Sequence, residues 1–149
     1  MNTPNGYNEI RKMFGNPANL DGSLNHAWEA ANIINVPPPG EWKLYYQNGP
    51  DSLVPISSIR MQRVLADSFT LVMQQIWPHA KQQVANAVTD EAIRAWLHQS
   101  RLDQTGGGYN FRKSTGDPTK LSLHSYGIAI DWDPVHNPHK KPLTKTLPD

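Results

Sequence analysis

The chain has 149 residues and a mass of 16.7 kDa, which suits one domain with enough length to bury a core. Its formal net charge of +1 is too near neutral to favour nucleic acid or a strongly anionic partner. The chain has no cysteine, so disulfides and thiolate metal sites are excluded, and any metal must be held by His, Asp or Glu.

The sequence carries no signal for export or membrane insertion. Residues Met1–Phe14 are polar and lack the apolar stretch that a secretory signal requires. The sequence contains no run of about 18 apolar residues, so no membrane span is predicted. We therefore expect the chain to be cytoplasmic as made.

The N-terminal part predicts one helix followed by extended structure. Tyr7–Phe14 is a short helical candidate that ends at Gly15. Residues 18–58 contain a proline cluster, which predicts looped and extended chain wrapped around a domain. Within this range Trp42–Tyr46 predicts a strand that packs on the core. His26 is interpreted as a structural residue, because no second ligand follows it at helical spacing.

Two helices are predicted in the middle of the chain. Apolar residues recur at three- and four-residue steps from Ile59, which predicts an amphipathic helix over about 59–77 that ends before Pro78. Thr89 is typical of an N-cap and precedes acidic residues and an apolar stripe, so a second helix is predicted over about 90–99. Large apolar side chains along these helices are interpreted as core: Met61, Met73, Trp77 and Trp96.

The last third of the chain begins with Gly106–Gly108, interpreted as a flexible approach to a short strand, Tyr109–Arg112. Residues 113–120 predict a loop. After Gly127, apolar and other residues alternate, which predicts a half-buried strand with Asp131 facing away from the apolar side. Gly127 permits a turn that folds His124 back over this strand to meet Asp131.

Five of these residues form the pattern S-x-H-x-x-G-x-A-x-D: Ser122, His124, Gly127, Ala129 and Asp131. This pattern resembles the motif of zinc peptidases that cut peptidoglycan stem peptides. That family includes D-alanyl-D-alanine carboxypeptidases and dipeptidases, and phage L-alanyl-D-glutamate endolysins. The resemblance implies that His124 and Asp131 are zinc ligands. A phage- or prophage-encoded lysin released to the cell wall through a holin fits this resemblance, and so does a cytoplasmic enzyme that recycles wall fragments.

The segment upstream of the motif is similar to a G-x-Y-x-F-R element of the same family. The resemblance implies that Arg112 lies over the site, where a fixed guanidinium stabilises a substrate carbonyl or the oxyanion formed from it. It places Ser122 beside the substrate, although that hydroxyl could instead satisfy backbone groups. Tyr109, in the same element, is assigned to substrate binding with Arg112 and Ser122.

The chain departs from the family pattern after Asp131. The family's third ligand, a histidine near the C-terminus, and its acidic general base have no match. The third ligand is left open among His136, His139 and a partner subunit. Asp133 ranks first as a substitute base because it is nearest to Asp131, and the other possible bases are Glu91 and Asp117.

These observations predict an α+β fold in which a small antiparallel sheet carries Arg112, His124 and Asp131 and packs against the two central helices. We expect one peptidase-like domain over 1–149, C-terminally incomplete, with a helical half over about 1–105 and a metal-site half over about 106–149. The expected function is zinc-dependent hydrolysis of a D-Ala-D-Ala or L-Ala-D-Glu bond. The alternative is a non-catalytic peptidoglycan- or peptide-binding module of the same fold, as in the distantly related hedgehog domains.

Overall fold

A computed structural model of the protein describes residues 3–49, 52–84 and 89–137. Within these ranges the chain has four α-helices and six short strands, which confirms the α+β class. The helices are α1 (Tyr7–Phe14), α2 (His26–Asn32), α3 (Ala66–Gln83) and α4 (Asp90–Gln99). None of the helices in this described part combines the length and the apolar character that a membrane crossing requires.

The strands form two separate sheets. They are β1 (Ile33–Val36), β2 (Leu44–Gln47), β3 (Leu53–Ile56), β4 (Ile59–Gln62), β5 (Gln104–Gly107) and β6 (Asp131–Trp132). Strands β1 and β4 pair antiparallel, and the second sheet has the order β3-β2-β5-β6. Because β2 and β5 run parallel, this sheet is mixed and not purely antiparallel as predicted.

The main core lies between the second sheet and helices α3 and α4. Buried side chains from the sheet and from both helices meet there, among them Leu44 of β2, Met73 of α3 and Leu97 of α4. Trp77 and Trp96 pack against this cluster as partly buried residues, in agreement with their interpretation as core. Helix α4 begins at its predicted cap, because the Thr89 hydroxyl accepts the Ala92 N–H at 3.1 Å.

The predicted helix over 59–77 is wrong at both ends. Ile59–Gln62 is strand β4, whose alternation of buried Ile59 and Met61 with exposed Arg60 has the period of a strand. Helix α3 starts at Ala66 and continues through Pro78 to Gln83. Packing of its last turns on the core, where Ala80 is fully buried, outweighs the missing N–H of the proline.

Two predicted strands also differ from the structure. Tyr109–Arg112 is irregular, and the neighbouring segment Gln104–Gly107 forms β5 instead. Of the strand predicted after Gly127, only Asp131–Trp132 is regular. Glycine at 106 lets β5 and β6 approach closely, since a Cβ there would lie 3.0 Å from the Asp131 Cβ.

A smaller aromatic core joins α1 to residues 122–131, which carry the S-x-H-x-x-G-x-A-x-D pattern and are called the motif segment. The Tyr126 ring, which is fully buried, makes edge contacts with the rings of Tyr7 and Trp28. The hydroxyls of Tyr7 and Tyr126 lie 3.2 Å apart, and the Tyr7 hydroxyl also accepts the Leu121 N–H at 3.1 Å. Burial raises the pKa of the Tyr126 hydroxyl, with the Tyr7 hydroxyl as a second cause. This contact fixes α1 beside the motif segment.

We expect Gly127→Ala to lower the free energy of unfolding by about 2–4 kcal/mol. Gly127 has φ 69°, and a Cβ there would lie 2.6 Å from the backbone nitrogen of Gln62. Gly40→Ala is the matched control, because Gly40 has φ 53° but open space around its missing Cβ. It carries only the left-handed strain, about 1 kcal/mol. Urea unfolding followed by tryptophan fluorescence measures both variants, and equal losses would contradict the proposed backbone clash.

Candidate metal centre

The motif segment contains a 3₁₀ helix, Leu123–Tyr126, which is capped by Ser122 at its start and by Gly127 at its end. The Ser122 hydroxyl accepts the His124 N–H at 3.3 Å, and Gly127 closes the turn in the left-handed conformation. The turn brings His124 over the start of β6, where its Nε2 lies 3.3 Å from the Asp131 Oδ2. The two residues that the sequence nominated as ligands therefore face each other.

A backbone carbonyl orients the His124 ring. Its Nδ1 lies 2.6 Å from the Gly108 oxygen. A carbonyl can only accept, so Nδ1 carries a proton and Nε2 is the ring nitrogen that faces Asp131. The imidazole is largely buried, with 11% of the side chain exposed. Such a carbonyl partner is typical of histidines that bind metals, because it fixes both the tautomer and the ring plane.

Strand β5 positions Asp131 through its backbone. The Thr105 hydroxyl donates to the Asp131 carbonyl at 2.8 Å, and Gly107 pairs with Asp131 across the two strands. The carboxylate itself is 53% exposed and borders a cavity. Asp131 therefore offers a carboxylate on a backbone that is fixed.

The spacing of the two facing atoms fits a zinc ion. Zinc binds imidazole nitrogen and carboxylate oxygen at about 2.0–2.2 Å, so tetrahedral geometry separates two such atoms by roughly 3.4 Å. The observed 3.3 Å lies close to that value, and it equally fits an ion pair between a protonated imidazole and the carboxylate. In the neutral tautomer that carries its proton on Nδ1, Nε2 and the carboxylate are both acceptors. A cation between them would satisfy both.

The cavity beside this pair has a volume of about 640 Å³. Its walls come from α1, from the 113–120 loop and from the motif segment, and its charged lining residues are Arg112, Lys120 and Asp131. A volume of this size suits a small peptide ligand. Ser122 and Ala129 also line it.

The loop that borders the cavity is held by an ion pair. Asp117 Oδ2 lies 2.7 Å from Lys120 Nζ, and the Thr119 hydroxyl and N–H also bind this carboxylate. The Lys120 ammonium, followed by the Thr119 groups, lowers the pKa of Asp117 to about 2. In return the carboxylate raises the pKa of Lys120. Lys120 therefore stays cationic at the cavity wall.

Tyr109 lies apart from the cavity. Its ring stacks under Arg60, with the guanidinium carbon 4.8 Å from the ring centroid, and its hydroxyl is buried. Burial, with the Glu29 carboxylate as the next cause, raises the pKa of Tyr109 to about 12. The predicted role of Tyr109 in substrate binding has no support in this geometry.

Asp133 and His136 belong to a different polar cluster. The Asp133 carboxylate is buried and accepts from Gln47 at 3.2 Å, with Arg101 at 3.6 Å and His136 at 2.8 Å. Neither Asp133 nor His136 lines the cavity. The structure therefore places the first-ranked base, Asp133, away from His124 and Asp131, because a left-handed turn at Asp133 directs its carboxylate to this cluster.

The other candidate bases, Glu91 and Asp117, have partners away from His124 and Asp131. Glu91 binds Arg94 on α4, beside another pocket, and Asp117 binds Lys120. His139 lies outside the described residues. Over residues 3–49, 52–84 and 89–137, no group of three or more His, Cys, Asp or Glu side chains is placed to hold a metal ion.

Three supporting residues escaped the sequence interpretation. Gly108 orients His124, Thr105 holds the Asp131 carbonyl, and Ser125 binds the backbone of Arg112. Only Gly108 left a sequence signal, its place in a triple glycine, and that signal was interpreted as flexibility. A Cβ at Gly108 would lie 2.4 Å from the Arg60 oxygen, so close backbone approach is the reason for glycine there.

Comparison with known proteins finds no family model, no curated protein and no solved structure that matches this chain. What the site can do therefore follows from its donor atoms and its cavity.

We expect His124→Ala and Asp131→Ala each to abolish measurable zinc binding, because each removes one of the two facing donor atoms. Competition with a chromophoric chelator measures the affinity, and elemental analysis measures the metal content. His26→Ala is the matched control, since His26 lies on α2 with its side chain 84% exposed. Zinc binding that is unchanged in both site variants would remove the metal site from consideration.

Proposed function

We propose that the protein is a zinc-dependent peptidase that hydrolyses peptidoglycan stem peptides at a D-Ala-D-Ala or L-Ala-D-Glu bond. One observation carries the proposal: an oriented imidazole Nε2 and a carboxylate oxygen lie 3.3 Å apart at the edge of a peptide-sized cavity. The S-x-H-x-x-G-x-A-x-D pattern supplies the reaction class and the substrate class.

His124 and Asp131 would hold the zinc ion, which when bound would polarise a peptide carbonyl and lower the pKa of a water molecule. Arg112 lines the same cavity, and its guanidinium could stabilise negative charge on the substrate carbonyl oxygen there. Ser122 caps the 3₁₀ helix that carries His124 and also lines the cavity. Its hydroxyl therefore serves the backbone while it borders the substrate.

A hydrolytic zinc site needs a third protein ligand and a carboxylate base. We place both outside the described part of the chain or on a partner subunit, because Asp133 and His136 are engaged in the Arg101 cluster. A peptidoglycan-binding module with the same cavity is the second candidate. Within the described ranges no third potential ligand joins His124 and Asp131, which favours this binding module.

Hydrolysis of purified peptidoglycan, with zinc added and after chelation, tests the proposal. Mass spectrometry of the products distinguishes release of D-alanine from cleavage between L-alanine and D-glutamate. Zinc-dependent cleavage at either bond is the expected result. Binding of the stem peptide without cleavage would support the second candidate, and absence of both binding and cleavage would remove the two proposals together.

We expect Arg112→Ala to lower kcat by about 10²–10³-fold with zinc content unchanged, the usual effect of removing one group that stabilises an oxyanion. Arg112→Lys should recover only part of the loss, because a single ammonium cannot reproduce the planar guanidinium. Lys113→Ala is the matched control, since it removes the neighbouring exposed cation, which does not line the cavity. Equal losses in Arg112→Ala and Lys113→Ala would show that only the local positive charge matters.

A further inference from the structure

Arg112 has no regular secondary structure to fix its position. It lies in the irregular segment that follows β5, and its side chain is exposed, with Nη1 3.4 Å from the Lys113 carbonyl. An arginine that stabilises charge at one atom needs a defined backbone position, because small displacements weaken that interaction steeply. The constraint on Arg112 must therefore come from tertiary contacts.

Ser125 supplies such a constraint through one hydroxyl. Its Oγ accepts the Arg112 N–H at 2.8 Å and donates to the Arg112 carbonyl at 2.7 Å. The Asn110 carbonyl lies 3.3 Å from the same oxygen, as a longer alternative acceptor. The Ser125 side chain thus binds both polar groups of the Arg112 backbone, and Ser125 is completely buried.

Backbone hydrogen bonds join the same two segments on either side of Ser125. The Asn110 N–H donates to the His124 carbonyl at 3.0 Å, and the Ser122 N–H donates to the Arg112 carbonyl at 2.9 Å. These bonds would remain without the serine hydroxyl. In contrast, the part-buried Arg112 N–H would lose its acceptor, and the segment would have to shift or admit water to satisfy it.

We propose that Ser125 is a positioning residue that ties Arg112 to the 3₁₀ helix carrying His124, and so sets the guanidinium relative to the metal site. The inference rests on the proposed peptidase function for its catalytic consequence, but the tie itself can be measured without activity. Ser125 precedes the fully buried Tyr126 and follows His124 directly, so one short helix holds the metal ligand and the residue that places the arginine.

Amide hydrogen exchange on the metal-free protein tests the tie. In Ser125→Ala the Arg112 amide should exchange at least about tenfold faster, the factor that corresponds to one lost buried hydrogen bond. The Asn110 amide is the internal reference, because its acceptor is the His124 carbonyl. Ser125→Cys keeps the side-chain volume, and exposed Ser52→Ala is the control. Equal acceleration at Arg112 and Asn110 would show that Ser125 only stabilises the fold, and would overturn the proposal.

A double-mutant cycle tests the catalytic consequence. Ser125→Ala should lower kcat about tenfold or more with zinc affinity unchanged, and should cause no further loss in an Arg112→Ala background. Losses that multiply in the double variant would overturn the positioning role. If the zinc-loaded wild type cleaves no stem peptide, the proposed function fails, and the exchange experiment still decides whether Ser125 fixes Arg112.

Discussion

The hydrogen bond between His124 Nδ1 and the Gly108 carbonyl is the contact on which the site depends. It places a proton on Nδ1 and turns Nε2 toward Asp131. Gly108 can hold that carbonyl in place only because its own backbone lies against β4, with the Tyr109 N–H bonded to the Arg60 carbonyl at 2.7 Å. Gly127 lies against the same strand, since its carbonyl accepts the Gln62 N–H at 2.9 Å. Strand β4 thus supports the histidine from two sides.

This dependence explains which parts of the fold could be predicted from the sequence. Helices α1 and α4 have local signals, a terminating glycine and a threonine cap, and both were predicted with nearly the right bounds. The start of α3 was not, because Ile59 and Met61 fit the apolar period of a helix as well as that of a strand. Their strand partner, β1, lies more than twenty residues earlier in the chain and leaves no local trace.

The candidate site divides in the same way. The turn at Gly127 is a local feature and was predicted, and it brings His124 to Asp131, although most of the strand predicted after it is irregular. The roles of Thr105, Gly108 and Ser125 depend on backbone groups that lie far away in sequence. Asp133 shows the converse error. It follows Asp131 by two residues, but a left-handed turn directs it to Gln47 and Arg101.

The Asp133 cluster still bears on the site, because it holds the far end of β6. The Asp133 N–H donates to the Gln104 carbonyl at 3.0 Å, and the Gln47 side chain reaches both the Asp133 carboxylate and the Val135 N–H. Burying a carboxylate is costly unless hydrogen bonds and a cation compensate it, and here Gln47 and Arg101 do so. The polar network and the Thr105 hydroxyl therefore both hold the backbone at and immediately after Asp131.

The two proposed ligands differ in how much freedom this leaves them. The His124 side chain is 11% exposed and held at Nδ1, whereas the Asp131 carboxylate is 53% exposed at the cavity edge. A buried, oriented imidazole loses little entropy when it binds a metal, while an exposed carboxylate on a fixed backbone can adjust to the ion's position. The entropic cost of forming the site therefore falls mainly on Asp131.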